Sequence, residues 1–259
     1  MFGKKRSLGL ALGGGAVRGF AHIGVLKSLH EAKVRPKFVA GTSVGSLIGA
    51  LYCAGKSWTD IRDLAFDIEW RDFVQPTFPK LGVVKPEGLR DMIDEVLNHA
   101  NIEDLEIPFA AVAVDLVSSN EVIIDSGPVS HAVLASCSIP GVFVPVETED
   151  QVLVDGGVLN AVPADVARSM GAEYVIAVDL NADAYSGEKR PEHILDVMAR
   201  SMALFMTATS AKGLSYADCI VRPDLKGFSY HDMTRKKEMV ERGEKAMADA
   251  LADVRGKFE

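Results

Sequence analysis

Residues 37–55 read KFVAGTSVGSLIGALYCAG, and their pattern changes at Ser43. The apolar run over Lys37–Ala40 predicts a short buried strand, whereas the apolar residues that follow recur with the spacing of a helix. Between them, Gly41–Gly45 match the pattern G-x-S-x-G. The pattern therefore stands on a strand-to-helix turn, which is the structural context that gives it meaning.

Ser43 is the candidate nucleophile. A serine on such a sharp turn is forced into sparsely allowed backbone conformations, and Gly41 and Gly45 remove side chains that would clash there. The turn exposes the hydroxyl, and the following helix presents its positive end to a developing anion. The alternative is that Ser43 only caps the helix, as serine often does. The position between strand and helix favours the nucleophile.

A second strand-to-helix junction precedes this one, at residues 12–19, LGGGAVRG. The dinucleotide pattern G-x-G-x-x-G that starts at Gly13 needs glycine where Arg18 stands, and the Walker pattern lacks its Lys and Ser/Thr. What remains is a nest of backbone N–H groups at a helix N-terminus, which suits an oxyanion. Gly13, Gly14, Gly15 and Arg18 are therefore candidate oxyanion-hole residues, and anchoring of the loop is the other role considered for Arg18. A plain tight turn is the alternative.

A candidate base comes later in the chain. Asp155 ends the apolar strand Val152–Val154 and is followed by Gly156 and Gly157. Active groups in open parallel sheets gather at the carboxyl ends of strands, and an aspartate there can accept the serine proton. The alternative is a turn aspartate that bonds its own backbone. Three other aspartates also follow apolar strands: Asp115, Asp125 and Asp179.

Short apolar strands alternate with helices along the chain, which indicates a largely parallel sheet covered on both faces. Strands are predicted at Ser7–Leu12, Lys37–Ala40, Phe109–Leu116, Glu121–Ile124, Val152–Val154, Tyr174–Val178 and Ile220–Arg222. Helices are predicted at about 19–32, 47–55, 88–99, 130–136, 164–170, 191–212 and 234–254. Trp58–Glu87 is predicted to be irregular, as a connecting loop or a lid. We expect one domain over residues 1–259, with its motifs in about 7–225.

Composition excludes several classes of protein. The chain has 259 residues, 48 % of them hydrophobic, and a net charge of −8, which excludes disorder and disfavours a nucleic-acid binder. Cys53, Cys137 and Cys219 form no CxxC pair, which argues against a zinc site or a disulfide frame and for a reducing cytosol. No apolar run approaches the roughly 18 residues of a membrane span. We therefore expect a soluble cytoplasmic protein, at most peripheral to a membrane.

Two further features are interpreted as parts of the core. His22 is predicted to pack beneath the glycine loop. The helix at 191–212 is predicted to be a core helix, with an acyl-chain wall or a membrane-touching patch as the alternative. Its large apolar residues include Met198, Met202, Leu204, Phe205 and Met206.

Together these motifs resemble those of the patatin-like phospholipases. The ordered set is G-G-G-x-x-R-G at Gly13–Gly19, G-T-S-x-G at Gly41–Gly45 and D-G-G at Asp155–Gly157. The resemblance extends to Phe20–Leu26, Ala135–Phe143 and Asn160–Pro163, and covers about residues 7–225. It looks closest to the compact bacterial members and is similar to the catalytic region of neuropathy target esterase. One departure is Val17, where alanine is usual.

The resemblance implies a three-layer α/β/α fold with a mostly parallel central sheet, and a Ser43–Asp155 dyad without histidine. Backbone N–H groups around Gly14 and Gly15 would hold the oxyanion, and no metal or cofactor would be needed. Family members cleave acyl esters of phospholipids, lysophospholipids or neutral lipids. The expected function is therefore a serine acyl hydrolase that acts on a lipid ester through an acyl-enzyme, with membrane contact left open. Asp155 is expected to be largely ionised at pH 7, because the ordinary pKa of aspartate is about 3.9; the alternative is that burial raises this pKa.

Three alternatives remain open. An α/β-hydrolase triad would need a histidine after Asp155, and His193 or His231 could serve. That fold places several strands before its nucleophile, whereas only two predicted strands precede Ser43. An acyltransferase would use the same serine, although the related acyl-carrier transacylases resemble a pattern with histidine in place of Thr42. A non-catalytic interaction module is disfavoured because all three motifs are intact.

Overall fold

The computed structural model describes residues 6–67, 75–76, 82, 84–85, 87–183, 190, 192, 194–254 and 257. The strands are β1 (Leu8–Leu12), β2 (Phe38–Thr42), β3 (Gln75–Pro76), β4 (Val84–Lys85), β5 (Phe109–Asp115), β6 (Asn120–Ile124), β7 (Val146–Glu147), β8 (Val152–Asp155), β9 (Tyr174–Val178) and β10 (Cys219–Val221). The helices are α1 (Phe20–Glu31), α2 (Val44–Cys53), α3 (Trp58–Asp67), α4 (Glu87–Leu97), α5 (Val129–Cys137), α6 (Ala164–Ser169), α7 (Ile194–Leu214) and α8 (Lys236–Val254). Short 3₁₀ turns occupy Ala16–Gly19, Ile102–Asp104 and Gly156–Val158.

The central sheet has the strand order β10-β9-β1-β2-β5-β8-β7, and β6 also pairs with β5. The first five strands in that order are parallel to one another. β6 and β8 run antiparallel to β5, and β7 runs antiparallel to β8. β3 and β4 form a separate antiparallel pair. The sheet is therefore mostly parallel, with its antiparallel strands gathered around β5.

Alternate residues of the strands face two layers of helices. Leu10 and Leu12 contribute to a core shared with α1, α2 and α8, whereas Ala11 belongs to a core shared with α6. The second face is built from small residues, so α6 packs directly on the sheet: a Cβ at Gly9 would lie 3.4 Å from the Cβ of Ala167. Helices on both faces of the sheet confirm the predicted three-layer α/β/α fold.

The prediction of an irregular segment is wrong for Trp58–Asp67, which forms α3. The Ser57 hydroxyl accepts a hydrogen bond from the Asp60 N–H (3.1 Å), and the Asp60 carboxylate accepts one from the Ser57 N–H (2.9 Å). This reciprocal cap is the S-x-x-D signal of a helix start, so the sequence contained the evidence for α3. Residues 68–74, 77–81, 83 and 86 lie outside the described part, and a lid there stays a prediction.

Most other element boundaries differ from the predicted ones by one to three residues. β2 continues through Thr42, and a 3₁₀ turn at Ala16–Gly19 precedes α1. α7 ends at Leu214, two residues later than predicted, and Pro191 lies outside the described residues. The short strands β3, β4 and β7 were not predicted, and β3 and β4 lie in the segment predicted to be irregular. Within the described segments, no helix combines the length and the hydrophobicity that a bilayer crossing demands.

Candidate active site

Ser43 joins β2 to α2 in a strained conformation. Its φ of 53° and ψ of −129° place a residue with a side chain in a region that side chains disfavour. Such strain costs about 1–3 kcal/mol and persists only where the surroundings impose it. Here the Ser43 N–H donates to the Ser136 hydroxyl (2.8 Å), and the Ser43 carbonyl accepts from the Ser46 hydroxyl (2.6 Å). Hydrogen bonds therefore hold the turn at both the N–H and the carbonyl of Ser43.

The hydroxyl of Ser43 does not cap the helix. Ser43 occupies the N-cap position of α2, but its side chain makes no capping hydrogen bond. The structure thus argues against the interpretation of Ser43 as a simple cap. The flanking glycines allow close packing: a Cβ at Gly41 would lie 2.5 Å from the Gly45 oxygen, and one at Gly45 would lie 2.1 Å from the Leu12 oxygen.

Strand pairing brings Asp155 level with Ser43. β2 pairs with β5 only as far as Thr42, which lies opposite Val112, and β6 occupies the other edge of β5. β8 takes the edge that β2 leaves, running antiparallel until Asp155 lies opposite Ala113. The argument from the carboxyl ends of parallel strands was therefore wrong for Asp155. Asp155 lies level with Ser43 because the antiparallel strand β8 ends where β2 turns away.

The Asp155 carboxylate is buried and only partly satisfied. Its Oδ1 accepts a hydrogen bond from the Gly157 N–H (2.8 Å), whereas Oδ2 has no hydrogen-bond partner among the described residues. Burial raises the pKa of Asp155 to about 7, against the opposing influence of the Ser43 hydroxyl and the Gly157 N–H. The Ser43 hydroxyl thus lies near the carboxylate without the geometry of a formed hydrogen bond. Catalytic hydrogen bonds often tighten only when substrate binds.

The raised pKa corrects the expectation that Asp155 is largely ionised at pH 7, because desolvation of the carboxylate outweighs its hydrogen bonds.

We expect kcat/KM to rise with pH through an ionisation near pH 7, since only the carboxylate form accepts the serine proton. Ionisation of a carboxyl group absorbs little heat, whereas ionisation of an imidazolium absorbs much. The acid limb, measured at several temperatures, should therefore stay at the same pH. If the midpoint pH of this acid limb shifts strongly with temperature, the base is a histidine.

The other candidate aspartates have different roles. The Asp115 carboxylate accepts hydrogen bonds from the Ser118 hydroxyl (2.6 Å) and from the Val152 N–H (3.0 Å), so it shapes the β5–β6 turn. The Asp179 carboxylate accepts one from the Arg222 Nε (3.3 Å). Asp125 is exposed. Of the four, Asp155 is the one that the strand pairing brings level with Ser43.

The glycine loop approaches Ser43, but two of its N–H groups already donate hydrogen bonds. The Gly13 N–H donates to the Val178 carbonyl (3.1 Å), and the Gly14 N–H donates to the Ala161 carbonyl (2.9 Å). These two N–H groups are thus unavailable to an oxyanion, contrary to the expectation for them. In the described part of the chain, the Gly15 N–H has no hydrogen-bond partner.

Two further observations bear on where an oxyanion could bind. A Cβ at Gly14 would lie 3.3 Å from the Ser43 Cβ, so the loop lies against Ser43. The Val44 N–H, first in α2, likewise has no hydrogen-bond partner within the described segments. The residue after the nucleophile commonly supplies an oxyanion-hole donor on this kind of turn. Gly15 and Val44 are therefore the donors that the geometry favours.

Arg18 anchors the loop and does not supply charge to the oxyanion. Its side chain is 1 % exposed, and its Nε and Nη2 donate to the Phe228 carbonyl at 3.1 and 2.8 Å. Its Nη1 donates to the Leu180 carbonyl (3.2 Å) and to the Tyr230 hydroxyl (3.1 Å). The guanidinium also stacks over the Tyr230 ring at 4.1 Å. Its assignment to the oxyanion hole is therefore corrected to a structural anchor.

Neither His22 nor His231 is placed to act as a base for Ser43. His22 is fully buried, and its Nε2–H donates to the Gly13 carbonyl (2.8 Å), beneath the glycine loop as predicted. Burial lowers the pKa of His22 to about 4, so it stays neutral. His231 is exposed and contacts the Ser229 hydroxyl. His193 lies outside the described residues.

A largely apolar cavity of about 160 Å³ opens beside Ser43. Its lining includes Val17, Phe20, Ile23, Leu47, Ile48 and Ala65. The cavity thus extends from Ser43 between α1, α2 and α3.

α7 is buried on one face and exposed on the other. Met206 is buried against the site: a Cβ at Gly14 would lie 3.0 Å from the Met206 Cε, and one at Gly157 would lie 2.6 Å from it. On the other face, Leu204 and Phe205 are 51 % and 55 % exposed. The core interpretation is therefore right for the inner face and wrong for the outer one.

Sequence reasoning missed three residues that support the site: Ser136, Asn181 and Tyr230. Ser136 lies within the stretch that carries the family resemblance, and its hydroxyl donates to the Val112 carbonyl (2.6 Å). Asn181 follows β9, a parallel strand, so the rule about carboxyl ends of strands could have found it. Tyr230 lies 49 residues further along the chain from Asn181, and no local pattern indicated it.

The family model described as Patatin-like phospholipase matches residues 10–168, from β1 through α6. An uncharacterized NTE family protein of Mycobacterium tuberculosis is 32 % identical over 213 residues, covering 79 % of this chain and 59 % of that protein. Patatin-like phospholipase domain-containing protein 6 of Homo sapiens is 37 % identical over 186 residues, covering 68 % of this chain and 13 % of that protein. The chain thus spans less than two thirds of the length of these relatives.

Two solved structures share the fold. VipD from Legionella pneumophila superposes with a TM-score of 0.59 at 12 % identity, covering 97 % of this chain and 67 % of VipD. The type III effector protein ExoU superposes with a TM-score of 0.57 at 13 % identity, covering 96 % of this chain and 53 % of ExoU. At these identities the likeness concerns the fold alone. The family match covers more than half of the residues, and so the chain belongs to the patatin-like phospholipase family.

Proposed function

We propose that this chain is a serine acyl hydrolase that cleaves carboxylic esters of lipids, with Ser43 as nucleophile and Asp155 as base. One observation carries the proposal: a strained, uncapped serine stands beside a buried carboxylate at the edge of an apolar cavity. Family membership supports lipid esters as the substrate class. Phospholipids and lysophospholipids are the esters that we propose within that class.

In the first half of the reaction, the ionised Asp155 accepts the hydroxyl proton of Ser43 as Oγ attacks the ester carbonyl carbon. The carbonyl oxygen becomes an oxyanion within reach of the Gly15 and Val44 N–H groups. Collapse of this intermediate breaks the ester C–O bond, and Asp155 returns its proton to the departing alcohol. The acyl group is then an ester of Ser43.

In the second half, Asp155 accepts a proton from water, which attacks the acyl-enzyme carbonyl. A second oxyanion forms in the same hole and collapses to release the carboxylic acid, while the proton passes back to the Ser43 Oγ. Each donor in such a hole typically contributes about 10²–10³ in rate. The burial that raises the pKa of Asp155 also makes it a stronger base than an exposed aspartate.

The cavity accounts for recognition of an acyl chain. Each methylene that it removes from water contributes about 0.8 kcal/mol. The cavity passes between α1, α2 and α3, and Ala65 of α3 lines it. Replacing Ala65 with a larger residue should therefore shorten the space for the acyl chain. Short acyl groups would still reach Ser43.

Ala65→Phe should therefore shift chain-length preference. We expect kcat/KM for a long-chain ester to fall at least about tenfold, the equivalent of one to two methylenes of lost burial, while a butyrate ester changes little. The measurement is kcat/KM across a series of p-nitrophenyl esters. Ala248→Phe, on the exposed face of α8, is the matched control. Equal losses on short and long esters would contradict the assignment of the cavity to the acyl chain.

Product analysis tests the proposed function against the acyltransferase alternative. Purified protein is incubated with lysophospholipid or p-nitrophenyl ester, with and without glycerol as acceptor alcohol. We expect free carboxylic acid as the main product in both cases, and its formation should require Ser43. Acyl transfer to glycerol as the dominant product would favour the transferase. Absence of any turnover that depends on Ser43 would favour a non-catalytic module.

A further inference from the structure

The peptide that links Gly14 to Gly15 is held by a side chain that the mechanism above does not use. The Asn181 Nδ2 donates to the Gly14 carbonyl oxygen (2.9 Å), and Asn181 is 1 % exposed. The carbonyl oxygen and the Gly15 N–H belong to one trans peptide plane, so they point in opposite directions. A hydrogen bond that fixes the carbonyl therefore fixes the direction of the N–H.

The orientation of the Asn181 amide is itself determined by its neighbours. The Tyr230 hydroxyl donates to Asn181 Oδ1 (2.9 Å) and accepts from Arg18 Nη1 (3.1 Å). Arginine carries donors only, and the Gly14 carbonyl only accepts, so both ends of the chain require the same hydrogen-bond direction. The order is Arg18 to Tyr230 to Asn181 to the Gly14 carbonyl. No alternative amide orientation satisfies both ends.

The surroundings leave this chain of groups little freedom. Arg18 is 1 % exposed and Tyr230 is 9 % exposed, so water does not compete strongly for their hydrogen bonds. The Asn181 backbone is also held, because its N–H donates to the Asp179 carboxylate (3.0 Å) and its carbonyl accepts from the Thr207 hydroxyl (3.4 Å). Successive hydrogen bonds that run in one direction also polarise one another. A donor to the Gly14 carbonyl makes the Gly15 N–H a better donor in turn.

We propose that Asn181 is a positioning residue for the oxyanion hole, and that it transmits the buried charge of Arg18 through Tyr230 to the Gly14–Gly15 peptide. The inference rests on the proposed function, since the Gly15 N–H is useful only where an oxyanion develops. Such a contribution acts on the transition state and leaves substrate binding almost unchanged. It also explains why an arginine without access to the substrate belongs to the glycine-loop motif.

Asn181→Leu, which removes the donor at similar volume, tests the proposal. We expect kcat to fall about 10²-fold or more with KM within about threefold of wild type. Tyr230→Phe keeps the ring beneath Arg18 but removes the hydroxyl, and we expect a smaller loss in kcat of about tenfold. Tyr174→Phe, at the other end of β9, is the matched control and should behave as wild type.

A second readout separates positioning from general structural damage. An alkyl trifluoromethyl ketone adds to the Ser43 Oγ, the carbonyl π electrons move to oxygen, and the serine proton passes to Asp155. The resulting hemiketal oxyanion needs the hole, whereas the corresponding alkyl alcohol does not. Loss of ketone affinity in parallel with kcat, with alcohol affinity retained, would support the proposal.

Two outcomes would overturn the positioning role while the proposed function stands. One is wild-type kcat and ketone affinity in both Asn181→Leu and Tyr230→Phe. The other is an equal loss of ketone and alcohol binding in both variants, which would indicate a purely structural role. If instead the wild-type protein shows no hydrolysis that depends on Ser43, the proposed function fails and the positioning role fails with it.

Discussion

Replacing Asp155 with asparagine is expected to lower kcat/KM for ester hydrolysis by about 10⁴-fold or more, the scale seen when the base of a serine acyl-transfer site is disabled. Asparagine keeps the shape of the side chain, and its Oδ1 can still accept from the Gly157 N–H. What it loses is the ability to accept the serine proton. The measurement is kcat/KM on a short-chain ester above pH 7.

Stability provides the control for this variant. Because the folded-state pKa of Asp155 is raised to about 7, its contribution to stability is full below the ordinary aspartate pKa and is lost as pH rises through about 7. Asparagine does not titrate. Relative to wild type, the free energy of unfolding of Asp155→Asn should therefore improve between about pH 4 and pH 7 and stay level above that range. An inactive variant with this behaviour is folded.

Histidine variants provide the opposing test. His231→Ala and His193→Ala should each retain most of the activity, because the dyad needs no imidazole. If either variant is folded and as inactive as Asp155→Asn, the base is part of a triad of the α/β-hydrolase kind. Retained activity in Asp155→Asn would contradict the dyad directly.

Ser43→Ala is expected to cause the largest loss, about 10⁶-fold in kcat, because no other group can form the acyl-enzyme. The variant should fold, since the Ser43 hydroxyl makes no capping hydrogen bond. Ser43→Gly should be equally inactive, and its free energy of unfolding should exceed that of Ser43→Ala by about 1 kcal/mol or more, because glycine accepts the positive φ without strain.

Ser28→Ala is the matched control for these serine variants. Ser28 is also buried, but its hydroxyl donates to the Glu244 carbonyl, in the contact between α1 and α8. Its loss should affect stability and leave kcat unchanged. Residual turnover of Ser43→Ala near the wild-type level would assign the nucleophile elsewhere.

The sequence predicted those parts of the site that local chemistry determines. The turn at Ser43 follows from residues within a few positions of it, because a strand, two glycines and a helix leave one backbone path. Likewise, Asp155 stood out because Gly156 and Gly157 follow it directly. The sheet with helices on both faces follows from the alternation of apolar strands with helical patterns. These features need no knowledge of distant contacts.

The remainder depends on contacts between distant parts of the chain. The antiparallel pairing of β8 with β5 decides where Asp155 lies, and no pattern within β8 reveals that direction. The raised pKa of Asp155 comes from burial by several elements. Arg18 was assigned to the oxyanion hole because its hydrogen-bond partners, Phe228 and Tyr230, lie more than 200 residues away in the sequence. No local pattern reveals contacts at that separation. α3 is different, since its Ser57–Asp60 cap was visible in the sequence.

Covalent labelling with a fluorophosphonate tests the central claim most directly. The reagent's phosphorus forms a bond to an activated serine Oγ, fluoride leaves, and the adduct is located by peptide mass spectrometry. We predict a single adduct, on Ser43, formed with wild-type protein, strongly slowed in Asp155→Asn and absent in Ser43→Ala. An adduct on another residue that persists in Ser43→Ala, or no adduct with folded wild-type protein, would contradict the account.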